Sequence, residues 1–402
     1  MKALITKMDH LGRGITKVND KICFVNKALP EDELEIKITK EKSRYLEGEI
    51  VRIIKPSSLR ITSKCPYFNQ CGGCQYFNLD YDKEIKTKEK VFREILSKYG
   101  NVDDHLIKKM VSINEDFYRN KVTFQVENKK LGFYKYNSKE LVPVDECLLL
   151  NKEINKLIKP LQKIVKEGNI SQIIVNISND SKLKMVQIKG KVTDFKELLK
   201  LVDVLIINDK VVSDKSSITT TLLNNEFILG KETFFQVNKK ISEKLYLQII
   251  EYIKKTSPKK VLDLYCGVGS ISSSISPYVE KVIGIEVSKE AIKNAKKSKE
   301  LNHIDNIDFM ASRVEDSLNV LTNDIDTVIV DPPRSGLLKK VVNELLNTKV
   351  PNIIYVSCNP ITLARDLKLL SEKYIIKEII PFNMFLHTYH LESITVLERE
   401  EC

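Results

Sequence analysis

No apolar run in this chain reaches the roughly 18 residues that a membrane helix needs. The opening Met1-Lys2-Ala3-Leu4-Ile5 carries a charge, but no long apolar stretch follows it, so no signal peptide is expected. Internal repeats and low-complexity tracts are missing as well. These absences argue for a cytoplasmic protein with no membrane partner, and nothing implies an obligate protein partner. Disulfides are not expected in that compartment. The eight cysteines, Cys23, Cys65, Cys71, Cys74, Cys147, Cys266, Cys358 and Cys402, should then be reduced, ligating or catalytic. What the chain does have is length and charge. Its 402 residues suggest two or three domains, and 42% hydrophobic with 30% charged residues can bury cores and stay soluble. A net charge of +11 and a pI near 9.0 suit a polyanionic partner, with nucleic acid the first candidate.

Residues 1 to about 56 read as short strands: Ala3–Thr6, Lys21–Val25, Leu34–Ile38 and Gly48–Ile54. Gly12-Arg13-Gly14, Asn19-Asp20 and Leu29-Pro30 read as turns between them. So many strands in so short a stretch suggest a small closed barrel of the oligonucleotide-binding type. Across residues 1–60, thirteen Lys and Arg stand against nine Asp and Glu. That excess again favours a polyanion. Asp9-His10-Leu11-Gly12-Arg13-Gly14, Phe24-Val25 and Ala28-Leu29-Pro30 resemble a TRAM domain, which implies RNA delivery rather than catalysis.

Cys65, Cys71 and Cys74 stand five and then two residues apart, with Gly72 and Gly73 letting the backbone turn closely. Three thiols packed this densely in a reducing compartment point to a metal, and Cys147 is the available fourth ligand. Zinc and an iron–sulfur cluster both remain open on spacing. The spacing is not the three-then-two associated with radical S-adenosylmethionine enzymes. Downstream, residues 80–99 read as a helix with Ile85, Val91, Phe92, Ile95 and Leu96 on one side and lysines elsewhere. Val122–Val126 and Leu131–Lys135 read as a hairpin whose basic and aromatic residues suit phosphate contact and base stacking. Residues 151–232 alternate helix and strand without a motif. Domain seams are expected near Pro56 and near Lys231.

The last third carries the chemistry. Val261-Leu262-Asp263-Leu264 enters the turn Tyr265-Cys266-Gly267-Val268-Gly269-Ser270, and a second strand, Lys281–Ile285, ends in Glu286. This is the opening of a doubly wound sheet, with glycines for close backbone approach and an acid for ribose hydroxyls. Ser272 stands where the dinucleotide fingerprint has its third glycine. S-adenosylmethionine, which has no pyrophosphate to cradle, therefore fits better. Asp326–Val330 ends in Asp331-Pro332-Pro333-Arg334, a stiff loop that places Asp331 and Arg334 over the cofactor crevice. Ile353–Val356 runs into Ser357-Cys358-Asn359-Pro360, putting a cysteine at the carboxyl end of a strand, where ligands collect in open α/β sheets. Residues 382–397 end the chain as a strand that Glu392 opens, beside His387 and His390.

Taken together and in order, the glycine turn, Asp331-Pro332-Pro333-Arg334, Ser357-Cys358-Asn359-Pro360 and His390-Leu391-Glu392 resemble the RNA 5-methyluridine (uracil-C5) methyltransferase family over nearly the whole chain. Its ribosomal members carry a TRAM domain and a 4Fe-4S cluster on cysteines of this spacing. The resemblance implies an α/β protein: a TRAM (OB-like) barrel over 1–56, a central α+β iron–sulfur domain over 57–232, and a Rossmann-like S-adenosylmethionine-dependent methyltransferase domain over 233–402. It implies Cys358 as nucleophile and Glu392 as base. Gln236, Tyr265, Glu286 and Asp331 fall at cofactor positions, and Cys65, Cys71, Cys74 and Cys147 at cluster positions. Ser270 departs from relatives that have asparagine there. The activity implied is C5 methylation of uridine in RNA, with 23S ribosomal RNA as the expected partner. Transfer RNA methylation and a non-catalytic RNA-binding iron–sulfur protein are the alternatives. A cytosine-5 enzyme would be expected to show a Pro-Cys motif, which is absent.

Overall fold

The computed structural model describes residues 1–320 and 324–400, so Cys402 and the end of the expected 233–402 domain lie outside the described residues. The chain forms two compact units. One comprises Met1–Ile95, Gly132–Val144 and Phe385–His390; the other comprises Leu96–Leu131, Asp145–Met384 and Leu391–Cys402.

The first unit begins with six strands: Lys2–Leu4, Lys7–Met8, Arg13–Val18, Lys21–Asn26, Glu33–Glu41 and Tyr45–Lys55. They form one sheet in the order first, fifth, sixth, fourth, third, second. Its core is Ile5, Val18, Cys23, Val25, Ala28, Leu34, Ile36 and Leu46. Cys23 is thus a small core residue, the common fate of a free cysteine. The Gly12-Arg13-Gly14 turn extends less far than expected, because Arg13 already opens a strand and Gly14 pairs with Val25. A Cβ on Gly14 would come within 2.8 Å of the Ala28 and Ile5 side chains, so close packing demands the glycine. Asp32 is fully buried; it accepts the Leu29 N–H at 2.7 Å and the Ser57 N–H at 2.8 Å and pairs with Arg60. That satisfies the carboxylate's desolvation where the strands end.

In the second unit, a seven-stranded sheet supplies the scaffold. Its order is Ile307–Ala311, Lys281–Glu286, Lys260–Leu264, Thr327–Val330, Asn352–Ser357, Glu392–Arg399 and Tyr374–Phe382. The first five run parallel; Glu392–Arg399 is antiparallel to both its neighbours. Helices cover a parallel sheet on both faces, so its strands read as unbroken apolar runs, as Val261–Leu264 and Ile353–Val356 do. Helix Lys239–Thr256 begins at Asn238, whose side chain accepts the Ile241 N–H at 3.3 Å. A second sheet orders Lys121–Glu127, Asn169–Ile177, Lys184–Lys191, Val204–Ile207 and Lys210–Val211. Glu392 opens the terminal strand, as expected; Phe382, where the expected stretch begins, instead closes the strand before it. The two pair antiparallel, so the chain must reverse between them.

Candidate active site

The register of the seven-stranded sheet aligns the site. Leu264 pairs with Ile285 on one side and Val330 on the other. The next residues of these three strands are Tyr265, Glu286 and Asp331. Three of the four residues expected to contact a cofactor therefore leave the sheet in one row. The row lies where strand order reverses, between Lys260–Leu264 and Thr327–Val330, the crevice in which doubly wound sheets bind ligands. On the next strand pair, Ser357 faces Ser393 in antiparallel register. Cys358 follows the first and Glu392 precedes the second, so both emerge at the same sheet edge. Strand spacing is about 4.8 Å.

The turn after the first strand is built for close approach. Tyr265 has φ +67°, Gly267 +56° and Gly269 +73°. A left-handed tyrosine is uncommon and is tolerated where the surroundings force it, often at functional sites. A Cβ on Gly269 would meet Phe309 at 2.4 Å, whereas one on Gly267 would meet nothing within 4 Å. The Gly267 backbone is therefore open to a ligand. Glu286 is oriented through both oxygens: Oε2 accepts the Gly267 N–H at 3.3 Å and Oε1 the Ser288 N–H at 2.8 Å. Gln236 is buried just before the helix of residues 239–256, and its Oε1 has no partner. Asp263 stands inside the strand that leads into the glycine turn. It is fully buried, accepts the Ser272 N–H at 3.1 Å and the Ser272 hydroxyl, and leaves Oδ1 without a partner. Ser272, at the third-glycine position, is thus the partner that makes a buried acid tolerable. Unsatisfied buried oxygens and an open glycine turn are what an adenosyl amino acid with hydroxyls and amines would satisfy.

Electrostatics tie the reactive groups together. Burial pushes the Cys358 thiol up to about 12; the nearby Glu392 and Asp331 carboxyls add to this, and Arg334 opposes it. Burial, and then Asp331, drives Glu392 well above the usual carboxylate range, again with Arg334 opposing. Asp331 is pushed up to about 7 by burial and by Asp263, which burial also pushes up to about 7. Glu392 is 4% exposed and its Oε2 has no partner. Paired acids pushed upward beside a cysteine, with one arginine as counterweight, are what a proton-transfer site requires.

The two loops bearing Asp331 and Cys358 are cross-tied. Asn359 caps helix Pro360–Leu370 by accepting the Ile361 N–H at 3.1 Å, and its Nδ2 donates to the Arg334 carbonyl at 2.9 Å. Thr362 donates to the same carbonyl at 3.3 Å. Asp366 is fully buried; it accepts the Leu337 N–H, the Tyr355 hydroxyl and Arg365 Nε, each at 2.8 Å. Gly336 has φ +74°, and a Cβ there would fall 2.6 Å from both Arg365 and Asp366. Asp366, Tyr355 and Gly336 carried no recognisable motif. Only the fold reveals them as the mount of the 331–337 loop.

The cysteine motif lies in the first unit. Cys65, Cys71 and Cys74 are half-buried, as is Cys147 in the second unit. Burial pushes the Cys71 thiol up. Gly72 is required, since its Cβ would meet the Tyr136 nitrogen at 2.7 Å. The Lys27 ammonium is buried beside these sulfurs, donating to the carbonyls of Phe68 and, at 2.9 Å, of Cys71. The donor chemistry suits a soft metal, and a buried cation beside thiolates would offset their charge. The spatial grouping does not: among the described residues no group of three or more His, Cys, Asp and Glu is arranged to hold a metal ion. The same unit has a cavity of about 690 Å³ lined by Arg13, Phe24, Lys27, Lys40, Arg52 and Tyr136 among others. The Arg13 guanidinium sits 4.1 Å over the Phe24 ring. Among the described residues, no helix is long and apolar enough to cross a membrane.

Comparison with known proteins agrees with this layout. The family described as tRNA (uracil-5-)-methyltransferase matches residues 202–400, and the TRAM domain matches residues 1–51. An uncharacterized RNA methyltransferase of Halalkalibacterium halodurans is 30% identical over 99% of this chain and 96% of its own length. One from Aquifex aeolicus is 32% identical over 99% of this chain and 98% of its own. The crystal structure of Pyrococcus abyssi tRNA (uracil-54, C5)-methyltransferase, in complex with S-adenosyl-L-homocysteine, shares the fold. Its TM-score is 0.79 at 24% identity, covering 99% of this chain and all of the other.

Proposed function

Because this chain belongs to the family of RNA uracil-5 methyltransferases that use S-adenosylmethionine, we propose that it methylates uridine C5 with Cys358 as nucleophile and Glu392 as base. The observation that carries this is the placement of Cys358 and Glu392 one residue beyond the Ser357–Ser393 pair of adjacent strands, beside Asp331 and Arg334. Bound S-adenosylmethionine supplies an electrophilic methyl group. Tyr265, Glu286 and Asp331 would hold it along the row above the sheet, with Gln236 as a further contact. C5 of uridine is a poor nucleophile. With its proton released to solvent, the Cys358 sulfur would add to C6 and give C5 enolate character, so that C5 could take the methyl group as the bond from that methyl to the sulfonium sulfur breaks. Glu392 then accepts the proton left on C5, the C6–sulfur bond breaks, and the thiolate leaves. The covalent step splits one hard reaction into two easier ones. A carboxyl whose proton affinity is raised is a stronger base once charged, and base catalysis of this kind is worth roughly 10²–10⁴-fold. The uridine must leave its stack to reach the sulfur. The basic, aromatic-bearing cavity of the first unit suits the flanking RNA.

The RNA proposed is 23S ribosomal RNA, on the strength of the TRAM match together with the cysteine motif. Transfer RNA is the second reading, favoured by the whole-length fold likeness to a tRNA (uracil-54, C5)-methyltransferase. Cys65, Cys71, Cys74 and Cys147 are proposed to ligate a 4Fe-4S cluster; anaerobically purified protein should be brown and contain iron and sulfide, and colourless, metal-free protein would remove this part. Mapping 5-methyluridine in ribosomal and transfer RNA from a deletion strain tests the activity and separates the two substrates. Loss from 23S RNA alone is expected; unchanged 5-methyluridine in both pools would contradict the proposal.

A further inference from the structure

Helix Tyr81–Gly100 buries two charged side chains that no motif anticipated. Glu84 is fully buried and Lys88 is 2% exposed, one helical turn apart. A buried ion pair is seldom the most stable filling for a core, since apolar residues of similar volume serve as well or better. Such a pair therefore calls for a further explanation. Neither charge serves the helix. Both turn to the short segment Phe385–His390 within the same compact unit. Glu84 Oε1 accepts the His387 N–H at 2.7 Å, and Oε2 lies 2.8 Å from His387 Nδ1. Lys88 Nζ lies 3.8 Å from Glu84 and donates to the Phe385 carbonyl at 3.2 Å. Burial pushes the Lys88 ammonium down to about 8, against the pull of Glu84.

His387 is where the segment is bent. Its φ is +66°, a left-handed conformation that a histidine adopts only when held. The ring stacks on Phe77 with centroids 3.8 Å apart. Its carbonyl accepts the N–H groups of Gln75 at 2.9 Å and Tyr76 at 3.1 Å, and Gln75 Oε1 accepts the Tyr389 N–H at 3.2 Å. A six-residue segment is thus fixed at both ends and at its bend. Its sequence continues through Leu391 directly into Glu392.

We propose that Glu84, with Lys88 and His387, is a positioning group for the reaction: it clamps the 385–390 segment and so sets the backbone from which Glu392 reaches the C5 proton. The proposal rests on the reading of Glu392 as the base. All three are buried, so their loss should spare addition of Cys358 and methyl transfer while slowing release. The test is a pair of rates on ordinary uridine RNA. Single-turnover methyl transfer to RNA by Glu84→Gln protein should stay within about threefold of wild type. Steady-state turnover should fall at least tenfold, with an RNA–protein adduct accumulating on a denaturing gel, as for Glu392→Gln. His387→Asn, which tolerates the left-handed backbone but removes the ring contacts, should behave alike, and it stands in for Glu84→Gln if that variant melts before assay. A parallel fall in both rates without adduct, or unchanged turnover, would overturn the clamp. Wild-type protein that forms no adduct even with 5-fluorouridine RNA would instead defeat the proposed chemistry, so the two failures are distinguishable.

Discussion

A thiol pushed up to about 12 is a poor nucleophile at neutral pH, so the resting site keeps Cys358 protonated. The sign follows from burial and from the adjacent Glu392 and Asp331, all of which favour the neutral form, while Arg334 favours the charged one. Activation must then come with the bound reactants, whose positive sulfonium would favour the thiolate. A direct consequence concerns the free protein. Alkylation of Cys358 by iodoacetamide, followed by peptide mass spectrometry, should rise about tenfold per pH unit from pH 7 through pH 9. An ordinary thiol, with a value near 8.5, would level off there. A plateau below pH 9 would show that the neighbours do not hold the proton on.

The reactive residues are only as well placed as the elements that carry them. Tyr355 is fully buried in the strand leading to Cys358, and its hydroxyl donates to Asp366, which also holds the 331–337 loop. Tyr355→Phe removes one hydrogen bond to a buried charge. It should cost about 1.5–3 kcal/mol of stability, read by denaturant melts, and should weaken S-adenosylmethionine binding by loosening Asp331. Unchanged stability would mean that Asp366 finds another donor. Much of this scaffold was legible in the sequence. Parallel strands announce themselves as apolar runs, so Val261–Leu264, Thr327–Val330 and Ile353–Val356 could be read directly. Other features were not legible, for physical reasons. Gly14 looks like a turn residue, but it is needed because Ala28 and Ile5 crowd it. The stretch around residue 385 carries β-prone residues, yet it bends through a left-handed His387 because Glu84 holds it there. Helix Tyr81–Gly100 buries Phe92, Ile95 and Leu96 as its spacing predicts, but Glu84 and Lys88 are buried with them, since a partner segment hundreds of residues away supplies their polar contacts.

For the whole molecule, excess positive charge is the broadest signal. If phosphate contacts carry RNA binding, affinity should fall at least tenfold between about 50 and 200 mM salt, linearly on logarithmic axes. Lys40→Glu, in the cavity of the first unit, should weaken RNA binding several-fold and leave S-adenosylmethionine binding unchanged. Flat salt dependence would argue that the charge serves something other than this substrate. The central claim, however, concerns one sulfur atom. It is tested most directly by incubating the protein with S-adenosylmethionine and RNA carrying 5-fluorouridine, which leaves no proton at C5 to remove, and locating the trapped nucleotide by mass spectrometry. A nucleotide on Cys358 in the wild type, and no adduct in Cys358→Ala, is the predicted result. An adduct that persists in Cys358→Ala, or that maps to another cysteine, would contradict the account.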